Sequence, residues 1–434
     1  MKYAVITFGC RVNQADSLGF EEELLAAGAV AVAPHDADLV VVNSCSVTAT
    51  ADQGTRQTIR RIARDNPNAR IVVTGCYATR RPDDIAALPN VSRVVVNDDK
   101  PRLIQLLRRP EETAESAKTT EKTFSSAFSA VSAVPSSGNG PCGATIEPGV
   151  AGRTAFTLRV QTGCAEPCSY CIIPTTRGTP RSVGVEEIVR EVERVAKAGF
   201  KEVALTGVHL GSYGRDLQPA SSLTELLRAL DFPNILFRIS SLEPMDCRRE
   251  IVDLVASSDR FAPHFHLPLQ HASNRVLAAM GRPYTIEYYA SLGDDIRERI
   301  PNASIGSDII VGFPGETDDD VEQLAGYLER SPLTYLHVFP YSDRPGTPAS
   351  TMTRKVDGAV VRDRGRRMRD IGRALSERFR ASQVGTTHRA LTLEDGSLAV
   401  TDNYLKVRIP PGRARNEWVR LRMTSQDDGE LLGG

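Results

Sequence analysis

The stretch "GCAEPCSYCIIPTTRG" contains Cys164, Cys168 and Cys171 within eight positions. Soft thiolates of this kind select zinc or iron–sulfur clusters. Structural zinc needs four ligands, whereas a cubane cluster held by three cysteines keeps one of its four irons open to another ligand. The spacing therefore indicates a cluster with one free position, and the neighbouring Tyr170 would help to exclude solvent from it.

Three more cysteines, Cys10, Cys45 and Cys76, each follow a short apolar run that predicts a β-strand. The runs are "YAVITF" (3–8), "DLVVVN" (38–43) and "RIVVTG" (70–75). In open parallel sheets, ligands collect beyond the carboxyl ends of the strands, so these thiols should meet in space. The alternative is that each cysteine is a small buried apolar residue. Three in the same structural position favour a site.

The composition indicates a globular protein that acts inside the cell. At 434 residues the chain is long enough for two or three domains. Its formal net charge of −1 requires any nucleic-acid surface to be a local basic patch. Eight cysteines are too sparse for a secreted disulfide scaffold. The first ten residues predict a strand rather than a signal peptide or membrane helix, so we expect a cytoplasmic protein without membrane contact.

The pattern of apolar runs predicts an α/β protein in four segments. Segment 1–109 alternates strands and helices and predicts an open parallel α/β sheet domain. Segment 110–153 is a low-complexity linker, and we interpret its Cys142 as incidental. Segment 154–382 shows six βα units, which predicts a partial (β/α)6 barrel open on one side. Segment 383–434 contains short strands and turns, typical of a small β-barrel.

The C-terminal part of the chain is basic. Between residues 354 and 424 there are seventeen Lys or Arg against eight Asp or Glu. An arginine-rich helix is predicted over 354–380. Its arginines could contact phosphate groups, or they could form a solvated face with ion pairs to the interleaved acids. We favour phosphate contact.

The cysteine motif, placed after the first strand of a βα barrel, resembles the radical S-adenosylmethionine superfamily. Together with "FGCRVNQADS", "VVNSCSVT", "VTGC" and the "RG" at 177–178, it looks like the methylthiotransferases of that superfamily. Further matching stretches are "LTGVHLGSYG", "RISSLEP", "HFHLPLQHASNRVLAAMGRPYT", "DIIVGFPGET" and "VFPYSDRPGTPA". The segment from about 383 is similar to the family's RNA-binding TRAM module. The resemblance covers nearly the whole chain.

The resemblance implies two 4Fe-4S clusters, with S-adenosylmethionine as the other cofactor. Cys164, Cys168 and Cys171 would hold the radical cluster, and Cys10, Cys45 and Cys76 an auxiliary cluster, so that all six serve catalysis. One S-adenosylmethionine would methylate a sulfur and another would yield the radical. The candidate cofactor-binding residues are Tyr170, Gly207, Ser240, Glu243, Gln270, Asp308 and Gly312. Asn13 and Asp16 are candidates for groups around the auxiliary cluster, although helix capping explains them nearly as well.

The resemblance also implies a substrate and partners. "GCRVNQAD" most resembles the subgroup that acts at carbon 2 of threonylcarbamoyladenosine at tRNA position 37. Isopentenyladenosine at the same position and a ribosomal-protein aspartate are the alternatives. The partners would be the tRNA anticodon stem-loop and a low-potential electron donor such as a flavodoxin or ferredoxin. A hypothesis from another class is a zinc-stabilised RNA-binding protein without catalysis.

Three histidines could imitate a separate metal site. His264 and His266 alternate along one predicted strand, and His271 follows it. Since six cysteines already account for two metal centres, we interpret these histidines as lining the barrel mouth.

Overall fold

A computed structural model describes residues 1–108, 146–148, 154–427 and 430–434 of the chain. The predicted linker lies outside these residues apart from 146–148, and so does Cys142.

The N-terminal unit is built from five strands and five helices. The strands are β1 (Lys2–Thr7), β2 (Val30–Ala31), β3 (Leu39–Ser44), β4 (Arg70–Gly75) and β5 (Val91–Val95). The helices are α1 (Arg11–Ala26), α2 (Ala49–Asp65), α3 (Cys76–Arg80), α4 (Pro82–Ala86) and α5 (Leu103–Arg108). The strands form one parallel sheet in the order β2-β1-β3-β4-β5.

The central strand of this parallel sheet is buried because both faces of the sheet are covered. Every residue of β3 is buried, and its valines alternate between two apolar clusters on opposite faces of the sheet. A strand covered on both faces reads as a continuous apolar run. Strands β1, β3 and β4, which precede the three N-terminal cysteines, are neighbours in the middle of the sheet. The sequence pattern missed β2, which has only two residues, both exposed.

The central unit contains six parallel strands and a small antiparallel pair. The six are β6 (Phe156–Arg159), β9 (Glu202–Thr206), β10 (Leu236–Ile239), β11 (His264–His266), β12 (Ser304–Val311) and β13 (Tyr335–Pro340). The pair is β7 (Gln161–Thr162) with β8 (Arg181–Ser182). The six form two sheets, β6-β9-β10 and β11-β12-β13, joined by a single parallel bridge from Phe237 to Phe261.

Helices cover the outside of these six strands. They are α7 (Val185–Lys197), α8 (Leu223–Ala229), α9 (Arg249–Ser257), α10 (Asn274–Ala279), α11 (Ile286–Arg299), α12 (Asp318–Arg330) and α13 (Gly358–Gln383). The short α6 (Ile173–Arg177) instead lies against α3 of the N-terminal unit. Helix α12 begins with a capping box between Thr317 and Asp320, which satisfies backbone N–H groups at its start. Helix α13 packs against β13, and α1 packs against β6.

The inner side of the partial barrel is polar. Phe237, Phe265 and Ile309 pack into the outer apolar core with the helices. Because side chains alternate along a strand, the residues beside them face inward. The residues of this inner side, which we call the lumen, include Glu202, Arg238, His264, His266, Asp308, Tyr335 and His337.

Five strands at the C-terminus close into a β-barrel. They are β14 (Thr387–Leu393), β15 (Leu398–Thr401), β16 (Lys406–Arg408), β17 (Trp418–Asp427) and β18 (Glu430–Gly433). Their inward residues form a separate small core. The α/β class, the partial six-stranded barrel and the small C-terminal barrel are all confirmed. None of the helices within the described ranges is long and apolar enough to cross a membrane.

Candidate active site

The N-terminal cysteines follow three neighbouring strands. Cys10 directly precedes α1, Cys45 follows β3, and Cys76 is the first residue of α3. Gly9 shapes this group: its φ is +89°, and a Cβ there would lie 2.6 Å from the Cys45 sulfur. Glycine therefore lets the turn bearing Cys10 approach Cys45. We call these three cysteines the N-terminal thiol group.

Cys164, Cys168 and Cys171 lie in the loop between β7 and α6, and we call them the loop thiol group. Arg282 donates to the Cys168 sulfur at 3.3 Å and also pairs with Glu243. Gly281, next to Arg282, permits close packing, since a Cβ there would lie 2.7 Å from the Pro167 carbonyl oxygen. The predicted cofactor residue Glu243 thus reaches the loop thiol group through Arg282.

Both thiol groups have the chemistry of cluster ligands. All six cysteines are free thiols. Burial raises the pKa of Cys45 and Cys164 to about 11 and that of Cys171 to about 12. Cluster assembly would therefore release protons from these thiols. In the described parts of the chain, only one set of three possible ligands lies within 4.8 Å of one another, and it contains no cysteine. The charges of Cys10 and Cys76 act on Cys45, and those of Cys164 and Cys168 act on Cys171, so each thiol group can supply three ligands to one cluster.

Arg177 links the two thiol groups. It ends α6, six residues after Cys171, and its Nη2 donates to Asn13 Oδ1 at 2.5 Å. Burial disfavours its charge, yet Cys76 and Asp16 raise the pKa of Arg177 above its usual value. Beside it, Asn97 Nδ2 lies 3.8 Å from the Cys76 sulfur. The loop after Cys171 therefore completes the surroundings of the N-terminal thiol group.

Asp16 anchors this arrangement. Its carboxylate accepts from Lys100 at 2.8 Å, contacts Arg159, and lies 3.5 Å from Arg177. Burial alone would raise the pKa of Asp16, but the three cations outweigh burial and lower it to about 2. Asp16 is therefore an anion that joins the N-terminal unit to β6 and α6.

Two of the predicted cofactor residues, Gly207 and Ser240, lie at the ends of central strands. Gly207 follows β9, where a Cβ would lie 3.0 Å from Oε1 of Gln161. That oxygen accepts from the backbone N–H groups of Val208 and His209, each at 2.9 Å. Ser240 follows β10, and its buried hydroxyl has no hydrogen-bond partner among the described residues. Ser240 is thus available to a bound group.

The remaining predicted residues have different surroundings. Tyr170 packs beside the apolar cluster that contains Met280 and Phe313, and burial raises its pKa well above the usual range. Gln270 adopts a φ of +69° and bonds through its backbone to Asp308 and Ile310 of β12. Gly312 follows β12 with a φ of +80°. A Cβ there would lie 2.4 Å from the Val361 side chain.

Asp308 lies within the lumen, in the middle of β12. Its Oδ1 is 3.0 Å from His266 Nε2 and 3.2 Å from His337 Nδ1. The Tyr335 hydroxyl bonds to His264 at 2.9 Å and to His266 at 3.1 Å. Gly306 makes room for the Tyr335 ring, since a Cβ there would overlap it. His271 lies elsewhere, 3.6 Å from Glu316, so the three histidines noted in the sequence do not converge.

Sequence reasoning missed Arg282, Gln161 and the position of Arg177. Arg177 was visible only as part of "RG", and its reach across to Asn13 is a tertiary contact. Gln161 lies just before the segment of the cysteine motif, and nothing in the sequence assigns a role to its amide. The signal for Gln161 in the sequence is that a polar residue stands at a strand end next to the cysteine motif.

Two family models match the chain. The model described as "Radical SAM superfamily" matches residues 158–328. The model described as "Uncharacterized protein family UPF0004" matches residues 2–97. Each match contains one of the two thiol groups.

Among curated proteins, the chain is 37% identical to "Threonylcarbamoyladenosine tRNA methylthiotransferase MtaB" of Aquifex aeolicus, over 94% of this chain and 96% of that protein. It is 31% identical to "tRNA-2-methylthio-N(6)-dimethylallyladenosine synthase" of Natranaerobius thermophilus, over 90% and 85%. Among solved structures, the fold is similar to the radical S-adenosylmethionine methyltransferase TsrM of Kitasatospora setae (TM-score 0.55, 16% identity, covering 80% and 74%). This chain belongs to the radical S-adenosylmethionine methylthiotransferases.

Proposed function

We propose that this enzyme installs a methylthio group at carbon 2 of threonylcarbamoyladenosine at position 37 of tRNA, using two 4Fe-4S clusters. The loop thiol group would hold the radical cluster, and the N-terminal thiol group the auxiliary cluster. The observation that carries the proposal is the presence of two three-cysteine groups, with Arg177 in the segment of one group and beside Cys76 of the other. Family membership already excludes the hypothesis of a non-catalytic, zinc-stabilised RNA-binding protein.

The chemistry of the site supports this division of roles. When bound, S-adenosylmethionine and the clusters supply hydrogen abstraction and sulfur transfer. Arg282 donates to the Cys168 sulfur, and such hydrogen bonds help to set the potential of a cluster. The orphaned hydroxyl of Ser240 is positioned to bind a polar group of S-adenosylmethionine. Tyr170 and its apolar neighbours exclude water from the loop thiol group.

The polar groups of the lumen favour the binding of a polar substrate side chain over an apolar one. His266, Asp308, Tyr335 and His337 present hydrogen-bonding groups on its inner surface. These groups already bond to one another, but a dimethylallyl group would displace water from them and offer no hydrogen bond in its place, which costs free energy. A threonylcarbamoyl group carries a hydroxyl, a urea and a carboxylate, which can replace the lost water. The name of the relative with 37% identity points to the same substrate.

The C-terminal barrel supports RNA as the partner. Arg420 and Arg422 are exposed on one face of β17, and neither has an ion-pair partner in the described chain. Arg389, on the neighbouring strand β14, lies over the Trp418 ring, 4.3 Å from its centroid. Exposed arginines with an aromatic residue suit phosphate and base contacts.

An in vitro test addresses clusters and substrate together. The chain is reconstituted anaerobically and its iron is counted, with about eight irons per chain expected from two cubane clusters. It is then given S-adenosylmethionine, a reductant and stem-loop RNA carrying either threonylcarbamoyladenosine or dimethylallyladenosine. Mass spectrometry should find the methylthio product only with the first RNA. Four irons or fewer would contradict the two-cluster proposal, and product only with the second RNA would reassign the substrate.

A further inference from the structure

Arg11 lies where the three structural units meet. It is the first residue of α1 and directly follows Cys10. Its Nη2 donates to the hydroxyl of Tyr404 at 2.9 Å, and its guanidinium lies 5.9 Å from the centre of that ring. Tyr404 belongs to the C-terminal barrel, and its ring also lies 4.8 Å from the His264 ring of the lumen. Arg11 is therefore beside both the N-terminal thiol group and the lumen.

The charge of Arg11 is not balanced by a carboxylate. Two guanidinium groups lie near the Tyr404 ring, because Arg238 also lies 4.6 Å from its centre. Arg238 is neutralised by Glu202 at 2.9 Å. Arg11 has no carboxylate within ion-pair distance in the described parts of the chain. The positive charge of Arg11 also acts on His264. Burial, then Arg238, and to a lesser extent His266 and Arg11, hold the pKa of His264 well below its usual value.

The turn that carries Tyr404 is built into this junction. Tyr404 adopts a φ of +71°, a conformation that non-glycine residues rarely take. Arg238 donates to the backbone carbonyl of Asp402 at 3.1 Å. Asn403 donates to the carbonyl of Asn302 at 2.9 Å. The C-terminal barrel is thereby joined to the lumen, and Tyr404 is positioned to orient Arg11.

We propose that Arg11 binds the carboxylate of the threonylcarbamoyl side chain and so selects this substrate over a neutral one. This assignment rests on the proposed function. In adenine, carbon 2 and carbon 6 flank the same ring nitrogen, and the exocyclic nitrogen on carbon 6 bears the side chain. A residue beside the sulfur donor therefore also lies beside the side chain. Arginine recognises carboxylates through paired N–H donors, and the dimethylallyl group offers it nothing to bind.

A purely structural role for Arg11 makes a different prediction. If Arg11 only joined α1 to the C-terminal barrel, its loss would weaken the binding of every RNA equally or lower the stability of the protein. If it binds the carboxylate, its loss removes discrimination between a charged and a neutral side chain. The test therefore compares two ligands that differ only in that charge.

The experiment measures binding by fluorescence anisotropy with the reconstituted full chain. One stem-loop RNA carries threonylcarbamoyladenosine, and the other carries the same nucleoside with its carboxylate converted to a carboxamide. The wild type should bind the carboxylate RNA about tenfold more tightly, as expected for a hydrogen bond to a charged group. Arg11→Gln should reduce this ratio to below about twofold, whereas Arg11→Lys should keep part of it. Tyr404→Phe should reduce the ratio partially, because it removes the hydroxyl that orients Arg11.

Controls separate the possible failures. Arg60→Gln, an exposed change on α2 of the same unit, should leave the ratio unchanged. Iron content must remain at the wild-type value in each variant, because Arg11 adjoins Cys10. If the wild type methylthiolates the threonylcarbamoyl RNA but Arg11→Gln keeps the tenfold ratio, the Arg11 assignment is wrong and the proposed function stands. If the wild type does not act on this RNA, both are overturned.

Discussion

At the scale of single residues, Arg177 is the residue whose position affects both thiol groups. It belongs to the loop of one thiol group and lies against a cysteine of the other. Its charge is held in a buried setting by Asp16 and by hydrogen bonding to Asn13. A guanidinium beside a thiolate favours the more negative, reduced state of a cluster. Arg177 therefore makes the electrostatics of the N-terminal thiol group depend on how the segment of the loop thiol group folds.

We predict that Arg177→Gln lowers the reduction potential of the auxiliary cluster. The measurement is an EPR redox titration in a background where Cys164, Cys168 and Cys171 are alanine, so that only one cluster remains. Arg177→Lys should retain most of the potential because it keeps the charge. Arg181→Gln, an exposed change in the same segment, is the control. An unchanged potential in Arg177→Gln would show that the charge does not reach the cluster.

Asp16 gives a prediction about pH. Its pKa is lowered from 3.8 to about 2 in the folded chain, so its stabilising effect is complete above pH 3.8 and is lost as the pH falls toward 2. This shift corresponds to about 2 kcal/mol. Asp16→Asn should therefore lower the melting temperature by the same amount at pH 8 and at pH 5.5. A difference that shrinks at pH 5.5 would mean that Asp16 titrates near neutrality and that the cations do not hold it ionised.

At the scale of elements, strand ends and tight turns determine where the thiols lie. The three N-terminal cysteines follow adjacent strands because the parallel order β1-β3-β4 places those strand ends at one edge. This could be predicted from the sequence, since each buried strand is a clear apolar run that stops at a cysteine. What could not be predicted is the approach between turns, such as that of Gly9 to Cys45, because it depends on packing between distant segments.

We predict that Gly9→Ala prevents assembly of the auxiliary cluster. A Cβ at position 9 would lie 2.6 Å from the Cys45 sulfur, and the φ of +89° is unfavourable for alanine. Reconstituted Gly9→Ala should hold about four irons per chain, the content of the remaining cubane. Gly28→Ala is matched for backbone strain, with a φ of +76°, but its Cβ would meet no atom within 4 Å. Gly28→Ala should keep about eight irons, and the same number in Gly9→Ala would contradict the prediction.

At the scale of the whole molecule, the C-terminal barrel has two roles. Its Tyr404 turn contributes to the lumen, and its β17 face presents arginines to solvent. The basic charge of this region was readable from the sequence, but its distribution was not. On α13, Arg364, Arg366, Arg367 and Arg373 are ion-paired with acidic residues. The other four arginines of α13, Arg362, Arg369, Arg378 and Arg380, form no ion pair within the described residues. The predicted phosphate-binding helix is thus half neutralised, and unpaired arginines lie on both α13 and the barrel.

We predict that the double variant Arg420→Gln with Arg422→Gln weakens the binding of every tRNA, whatever its sequence. The slope of log affinity against log salt should fall by between about 1 and 2, because two phosphate contacts are lost. Filter binding over a range of salt concentrations measures this slope. The paired arginines supply the control, since Arg366→Gln with Arg373→Gln removes the same formal charge from locally neutralised positions. Equal loss in both double variants would place the RNA on α13 as well.

The central claim is that this methylthiotransferase modifies threonylcarbamoyladenosine in tRNA. The most direct measurement is mass spectrometry of tRNA nucleosides from a strain lacking the gene and from that strain complemented with the wild type or with Cys10→Ala. We predict that 2-methylthio-threonylcarbamoyladenosine disappears in the deletion strain, returns with the wild type, and does not return with Cys10→Ala. Its persistence in the deletion strain, with loss of the methylthio dimethylallyl nucleoside instead, would contradict the account.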